Sequence, residues 1–185
     1  MNTANKISIF RLLLIPLWIG LVSYYGPEKE FLRYLALCVF LVAIFSDMLD
    51  GYVARRYNQV SPEGILLDPL ADKLLLMSCF FSLYFLKSLT PQVGLPLWAL
   101  LVLISRDIIL LLGGGLILLM GESRLKIRPT WWGKITTFSQ ACVVVSFLLQ
   151  WKGTPTILVA SVALTIISGM DYITKGMEVL GSDRI

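Results

Sequence analysis

Residues 31–50 read FLRYLALCVFLVAIFSDMLD, an apolar run that contains one basic residue, Arg33, and ends in the aspartates Asp47 and Asp50. An α-helix needs about 20 mostly apolar residues to cross the hydrocarbon of a bilayer. The stretch therefore predicts a membrane-spanning helix that carries two carboxylates at one end.

Five further stretches have the same character: residues 9–25, 65–86, 93–119, 131–150 and 154–174. The composition agrees, because 57% of the residues are hydrophobic and 15% are charged, against about 45–50% and about 25% in soluble domains. Short connections favour antiparallel neighbours in one bundle. The sequence predicts an all-α, polytopic membrane protein, a single-domain bundle of six transmembrane helices over residues 1–185, and excludes a soluble single-domain enzyme.

The first stretch is expected to be a retained helix, because Arg11 interrupts its apolar region and no small-residue cleavage site follows. Basic residues concentrate at the cytoplasmic ends of spanning helices. Eleven lie at one set of predicted ends (Lys6, Arg11, Arg55, Arg56, Lys73, Arg124, Lys126, Arg128, Lys134, Lys175 and Arg184) and four at the other (Lys29, Arg33, Lys87 and Lys152). Both termini are therefore predicted to be cytoplasmic.

The residue inventory narrows the chemistry further. The net charge of +4 is small and scattered, which excludes a nucleic-acid binder. The chain has no histidine, so acid–base chemistry falls to carboxylates, Lys or Tyr. Its three cysteines are far apart in apolar runs and are expected to be packing residues rather than a zinc site or a disulfide framework.

Acidic residues inside spanning segments are costly and mark functional sites by default. Asp47 and Asp50 are spaced i, i+3, and Asp68 and Asp72 are spaced i, i+4, so each pair shares one helix face. A further acid, Asp107, lies in the fourth stretch. A short loop containing Gly51, Pro62 and Gly64 is expected between the pairs, so that two antiparallel helices would gather four carboxylates at one depth.

Converging carboxylates repel one another unless some are protonated or divalent cations bind between them. Oxygen ligands without His or Cys suit Mg²⁺, Mn²⁺ or Ca²⁺. The alternative is that Asp47 and Asp68 are helix-end caps paired with basic neighbours. Asp68-Pro69 does have the form of an N-cap followed by an N1 proline, with Ser61-Pro62 as a rival start. Capping explains one aspartate but not four.

These residues match a known signature. The sequence Asp47-x-x-Asp50-Gly51-x-x-Ala54-Arg55, then eight residues, then Gly64-x-x-x-Asp68-x-x-x-Asp72, resembles the motif of the CDP-alcohol phosphatidyltransferase family at every fixed position. Members transfer a phosphatidyl group from a CDP-linked lipid to an alcohol and release CMP. The resemblance implies an active site on the cytoplasmic side of a membrane, of the bacterial inner-membrane type, and a homodimer.

The resemblance also assigns roles to the motif residues. It implies that Asp47, Asp50, Asp68 and Asp72 bind two divalent cations, Mg²⁺ or Mn²⁺, and that Asp72 is also the general base. Gly51, Ala54 and Gly64 would leave room for the CDP group of CDP-diacylglycerol, and Arg55 would hold a donor phosphate. Without the resemblance, the small residues would serve helix packing and Arg55 would be a cytoplasmic anchor.

The motif does not identify the acceptor. Three patterns resemble phosphatidylglycerophosphate synthases: Asn5-x-x-Ser8-x-x-Arg11, Gly133-Lys134-x-x-Thr137-x-x-Gln140, and Ser168-Gly169-x-x-Tyr172 with Lys175-Gly176. Ser105-Arg106-Asp107 and the region from Arg124 to Lys134 also resemble cardiolipin synthases. Glycerol 3-phosphate is the expected acceptor, bound by Arg106 and Lys134, with phosphatidylglycerol as the alternative.

Three other classes of protein also place acids in membranes. An ion or proton transporter would distribute them across the membrane depth, whereas these cluster at one edge. An intramembrane aspartyl protease needs two aspartates on different helices and gives no reason for four. A purely structural protein needs none of them.

Overall fold

The computed structural model describes the backbone of residues 3–26, 28–57, 62–85, 94–119 and 131–182. Side chains are described for residues 9–26, 28–46, 70–85, 94–113 and 131–174. Within the described backbone there are six helices and no strand: α1 (Thr3–Ser23), α2 (Glu30–Tyr57), α3 (Pro62–Phe85), α4 (Leu97–Leu119), α5 (Trp131–Leu148) and α6 (Thr154–Ser182). Each coincides with one predicted apolar stretch, so the all-helical prediction is confirmed.

Several helices extend beyond the apolar stretches that predicted them. The second stretch ends at Asp50, but α2 continues to Tyr57 through GYVARRY. The hydropathy signal ends where polar residues begin, whereas backbone hydrogen bonding continues because Ala and Arg are good helix formers. The expected loop is thus shorter than predicted: Gly51 lies inside α2, and Pro62 and Gly64 lie inside α3.

The start of α3 removes one alternative for Asp68. The helix begins at Pro62, a favoured residue for the first helical position because its missing N–H has no partner there in any case. Asp68 therefore lies more than one turn inside the helix rather than at its N-cap, and Pro69 interrupts the backbone hydrogen bonding within α3. Helix capping does not explain Asp68.

The chain forms two compact units, and the single domain expected from the sequence stays a prediction. The first unit comprises Met1–Leu95 and Phe147–Trp151. In it α1 packs against both α2 and α3, around the buried side chains of Trp18, Val22, Phe40, Phe80 and Leu83. The Gln150 amide donates a hydrogen bond of 3.4 Å to the Tyr25 hydroxyl and ties the short second segment to the first.

The second unit comprises Pro96–Ser146 and Lys152–Ile185, which contain α4, α6 and all of α5 except its last two residues. Hydrogen bonds between α5 and α6 pair residues in opposite order along the two helices: Thr136 Oγ1 with the Leu164 carbonyl (3.2 Å), Ser139 with Ser161 (3.0 Å), and Thr154 Oγ1 with the Ser146 carbonyl (3.1 Å). These two helices are therefore antiparallel.

The contacts of α4 with α6 run in the same order along both helices. Arg106 hydrogen-bonds to Ser168, and further along both helices the Tyr172 ring lies against Gly113. The helices α4 and α6 are therefore parallel, and α5 runs against both. This alternation agrees with the up-and-down order expected for these three helices.

One segment of the described part of the chain is long and apolar enough to span a membrane, namely Thr154–Thr174 in α6. A shorter apolar helical segment is Ile9–Ser23 in α1. Large apolar side chains on both are exposed, among them Leu13, Leu17, Val159, Ile166 and Met170. The other five predicted spans and the orientation of the termini stay predictions.

Candidate active site

The first half of the aspartate motif lies on continuous helical backbone in α2. Residues spaced three, four and seven apart occupy one face of a helix. Asp47, Asp50, Gly51 and Ala54 have this spacing, so the two acidic positions share a face with the two smallest residues of the motif. Arg55 lies beside that face, and the side chains of residues 47–57 are outside the described ones.

The second half of the motif lies in α3, where Gly64, Asp68 and Asp72 follow one another at intervals of four residues. This interval keeps all three positions on one face. The helix therefore presents, as α2 does, two acidic positions and one position without a side chain. The side chains of residues 62–69 lie outside the described ones, whereas that of Asp72 is described.

Asp72 is partly accessible and lies next to a cation. Its side chain is 29% exposed, and Oδ2 is 3.8 Å from Nζ of Lys73, whose own side chain is 10% exposed. This separation is longer than a hydrogen bond, so the contact is an ion pair without a direct hydrogen bond. Asp72 is thus a carboxylate that a ligand or a substrate hydroxyl can reach.

The motif residues fit divalent cations by their chemistry. Four carboxylates at i, i+3 and i, i+4 on helical backbone supply oxygen ligands, the type that Mg²⁺ and Mn²⁺ prefer. Within the described side chains no cluster of three or more potential metal ligands occurs. Asp47, Asp50 and Asp68 are outside that set.

Arg106, predicted to bind the acceptor, is buried in the second unit with 6% of its surface exposed. Its Nη1 donates a hydrogen bond of 2.7 Å to Oδ1 of Asp107, which is 1% exposed. Its Nη2 donates to Ser168 Oγ at 3.1 Å and, more weakly, to the Gly133 carbonyl at 3.5 Å. Only Nε is without a partner. The guanidinium thus links α4 to both α5 and α6.

Lys134, the other predicted acceptor residue, has a different environment. It lies in the first turns of α5 and is exposed. Its Nζ is 5.5 Å from the centre of the Trp131 ring, a cation–π contact, and Trp131 itself is 80% exposed. Such a contact on an exposed surface contributes about 0.5–1 kcal/mol, little enough for the ammonium group to turn to an anionic ligand.

The sequence alone gave no role to the residues that surround Arg106. Ser168 and Gly133 belong to the weaker patterns, and only the helix packing shows that both contact the same guanidinium. Gln140, from the same pattern as Gly133, is fully buried, and neither its Nε2 nor its Oε1 is hydrogen-bonded. No spacing rule could have found the contacts of Arg106 with Gly133 and Ser168, since they join residues on different helices.

The sequence profile of the CDP-alcohol phosphatidyltransferase family matches residues 1–167. A CDP-diacylglycerol--glycerol-3-phosphate 3-phosphatidyltransferase of Bacillus subtilis (strain 168) is 33% identical over 97% of this chain and 97% of its own length. The protein of the same name from Aquifex aeolicus (strain VF5) is 32% identical over 97% of this chain and 98% of its own. A "Cardiolipin synthase (CMP-forming)" of Streptomyces coelicolor is 37% identical over 73% of this chain and 59% of its own length.

These matches confirm the resemblance drawn from the aspartate motif and the prediction of an enzyme. The family is membrane-associated and uses divalent metal ions. With its profile matched from residue 1 to residue 167, and with relatives of similar length along almost the whole chain, this protein belongs to the CDP-alcohol phosphatidyltransferase family and is a transferase of phospholipid biosynthesis.

Proposed function

We propose that this enzyme transfers the phosphatidyl group of CDP-diacylglycerol to glycerol 3-phosphate, giving phosphatidylglycerophosphate and CMP. The observation that carries the proposal is the aspartate motif on helical backbone in α2 and α3, in a chain with full-length relatives named for this reaction. The relatives' names supply the acceptor, and the motif supplies the donor chemistry.

In the proposed reaction an acceptor hydroxyl oxygen attacks the phosphorus that carries the diacylglycerol group. A new P–O bond forms, the P–O bond to CMP breaks, and the hydroxyl proton passes to the Asp72 carboxylate. Asp47, Asp50, Asp68 and Asp72 would hold two divalent cations, Mg²⁺ or Mn²⁺, whose charge would stabilise the diphosphate and the leaving CMP oxygen. The partial exposure of Asp72 supports its role as the base.

The positions around the aspartates would accommodate the donor. Gly51, Ala54 and Gly64 share helix faces with the acids, so the nucleotide and the diphosphate approach the backbone without meeting a large side chain. Arg55, beside the same face of α2, pairs with a donor phosphate, for which a planar guanidinium is well suited.

The acceptor phosphate is held by Lys134. Its exposure and its weak contact with Trp131 support this assignment, because the ammonium group exchanges one modest contact for a charge-assisted one. Arg106 was predicted beside it, and the burial of its guanidinium among protein partners favours a less direct part.

A product assay tests the proposed function. The purified enzyme in detergent receives CDP-diacylglycerol and Mg²⁺ with glycerol 3-phosphate, phosphatidylglycerol, myo-inositol 1-phosphate or L-serine, and CMP and the lipid product are measured by mass spectrometry. Phosphatidylglycerophosphate from glycerol 3-phosphate alone is the expected result. No CMP release above a sample without acceptor, or release with another acceptor only, would refute it.

A second candidate is cardiolipin synthesis from CDP-diacylglycerol and phosphatidylglycerol. The relative from Streptomyces coelicolor that carries this name supports it, as does the run Ser105-Arg106-Asp107. In the same assay, cardiolipin formed from phosphatidylglycerol with glycerol 3-phosphate inert would replace the first candidate by this one.

The proposed setting is a multi-pass membrane protein whose active site faces the cytoplasm and which forms a homodimer. A cytoplasmic site lets soluble CMP leave while the lipid donor enters sideways from the bilayer. Labelling of a single cysteine introduced at Asn58 in inverted membrane vesicles, and its protection in intact cells, is the expected result. Cross-linking and mass measurement in detergent test the dimer.

A further inference from the structure

Arg106 has few free donors left for a substrate. Both terminal nitrogens of its guanidinium are bonded to protein atoms, Nη1 to Asp107 and Nη2 to Ser168 and the Gly133 carbonyl. Nε, the one nitrogen of the guanidinium without a partner, is buried. The adjacent carboxylate of Asp107 is 1% exposed and balances the charge of Arg106. An anion that displaced Asp107 would leave a buried carboxylate without its cation, which is strongly unfavourable.

The same contacts connect Arg106 to the beginning of α5. Gly133 lies in the first turn of this helix, next to Lys134. Its carbonyl accepts a hydrogen bond from Arg106 Nη2 at 3.5 Å and one from Thr137 Oγ1 at 3.1 Å. Because α6 is bonded to the same Nη2 through Ser168, the guanidinium fixes the first turn of α5 against α6.

We propose that Arg106 and Ser168 are positioning residues that act on the acceptor through Lys134. Ser168 and Asp107 hold the guanidinium in one orientation, and the guanidinium holds the backbone of the first turn of α5. This turn directs the Lys134 ammonium group to the acceptor phosphate. The inference rests on the role given to Lys134 in the proposed function.

This arrangement explains a contrast between the two cations. A residue that binds a soluble or headgroup phosphate must exchange partners in each turnover, as exposed Lys134 can do. A residue that is 6% exposed and bonded to three protein groups keeps its partners. Precise placement of a ligand-binding group requires such a support, because small displacements of a charged contact weaken it markedly.

A double-mutant cycle between Ser168→Ala and Lys134→Ala tests the proposal. Ser168→Ala is preferred to Arg106 variants because it removes one hydrogen bond and leaves the ion pair with Asp107 in place. For each variant, kcat and the KM values for the acceptor and for CDP-diacylglycerol are measured separately. A residue that acts through Lys134 has no effect once Lys134 is gone, whereas independent contacts add.

We expect Lys134→Ala to raise the acceptor KM by about 10-fold or more, because the variant loses a charge-assisted hydrogen bond to the acceptor phosphate. Ser168→Ala should raise it by about 3- to 10-fold, with kcat and the KM for CDP-diacylglycerol unchanged. In the Lys134→Ala background, Ser168→Ala should change the acceptor KM by less than about 2-fold. Ser168→Thr, which retains the hydroxyl, should restore the acceptor KM.

Ser161→Ala is the matched control. Ser161 lies on the same face of α6, is fully buried, and contacts Ser139 of α5 rather than Arg106. It should leave the acceptor KM unchanged in both backgrounds. An equal effect of Ser161→Ala and Ser168→Ala on the acceptor KM would show a general loosening of the α5–α6 contact and overturn the proposal.

The outcomes separate this proposal from the function on which it rests. Additive effects of Ser168→Ala and Lys134→Ala would show that Arg106 contacts the acceptor itself, and would overturn the positioning role alone. An unchanged acceptor KM in Lys134→Ala would overturn both the role of Lys134 and the positioning role. If the wild-type enzyme is inert with glycerol 3-phosphate, the proposed function fails, and the cycle is measured with phosphatidylglycerol, whose phosphate Lys134 would bind in the same way.

Discussion

Two groups of charged residues inside helices are organised differently: the motif aspartates of α2 and α3, and the pair Arg106 and Asp107 in α4. In α2 and α3, acidic positions recur at helical spacing beside small residues, and Asp72 is 3.8 Å from the Lys73 ammonium group. In α4, Arg106 and Asp107 are neighbours in sequence, are almost fully buried, and bind each other at 2.7 Å. The first arrangement places acidic residues on shared helix faces, and the second neutralises charge within the protein.

The difference teaches which charges inside a membrane enzyme are available for chemistry. Like charges that share a face are unfavourable in themselves and imply an external cation. In a buried pair joined by a short hydrogen bond, each charge compensates the other. Removing one partner lowers the stability of the fold before it changes substrate binding. A position inside an apolar helix alone does not distinguish the two cases. Spacing and partners do.

Removal of divalent cations should have the largest effect. Without them the diphosphate and the motif aspartates, Asp47, Asp50, Asp68 and Asp72, would bring like charges together uncompensated. Excess EDTA should reduce CMP release to background, and Mg²⁺ or Mn²⁺ in excess of the chelator should restore it. Undiminished turnover in EDTA would eliminate the two-cation mechanism, and with it the idea that the motif aspartates differ from the Arg106–Asp107 pair in binding external cations.

Asp72→Asn should lower kcat by about 10²–10⁴, the usual loss for a general base, or more if a metal contact is lost too. The melting temperature should hardly change, since the 3.8 Å contact with Lys73 is partly exposed and such pairs contribute little. Asp171→Asn, in α6 and outside the motif, is the control and should keep wild-type kcat. Near-normal turnover by Asp72→Asn would show that Asp72 is neither base nor ligand.

Arg106→Met, unlike Asp72→Asn, should mainly lower the stability of the protein. It leaves Asp107 buried without its cation, which costs about 3–5 kcal/mol of unfolding free energy. The double variant Arg106→Met/Asp107→Leu should recover most of that loss, because two apolar side chains of similar size replace the pair. Thermal unfolding in detergent measures both. Equal melting temperatures for the single and double variants would mean that the pair is not what stabilises α4.

Gly113→Ala should have the smallest effect. A Cβ at this position would lie 2.5 Å from the Tyr172 hydroxyl and 3.3 Å from the ring carbon that bears it. The Tyr172 ring must shift, a cost of about 1 kcal/mol that offsets the gain of about 0.5–1 kcal/mol in helix propensity, so the melting temperature should hardly change. Gly20→Ala in α1 is the matched control, since nothing lies within 4 Å of its new Cβ. It should gain about 0.5–1 kcal/mol from helix propensity. Similar melting temperatures for the two variants would show that α4 and α6 do not meet at Gly113.

Much of the architecture could be read from the sequence. The six apolar stretches located all six helices, because a run of about 20 apolar residues is the signal expected of a membrane-spanning helix. Hydropathy misplaced the helix ends, notably that of α2, since helical hydrogen bonding does not depend on hydropathy. The prediction that Gly51, Pro62 and Gly64 lie in a loop was wrong for that reason.

The sequence by itself determined the helices, the family and the faces that carry the aspartates, because a helix converts spacing into a shared face without any help from its neighbours. Only the tertiary structure decided what surrounds Arg106 and which side chain lies against Gly113. Arg106 in α4 contacts Gly133 of α5, 27 residues further along the chain, and Ser168 of α6, 62 residues further. They depend on the direction and register of packed helices, which many side chains set together and no local pattern encodes.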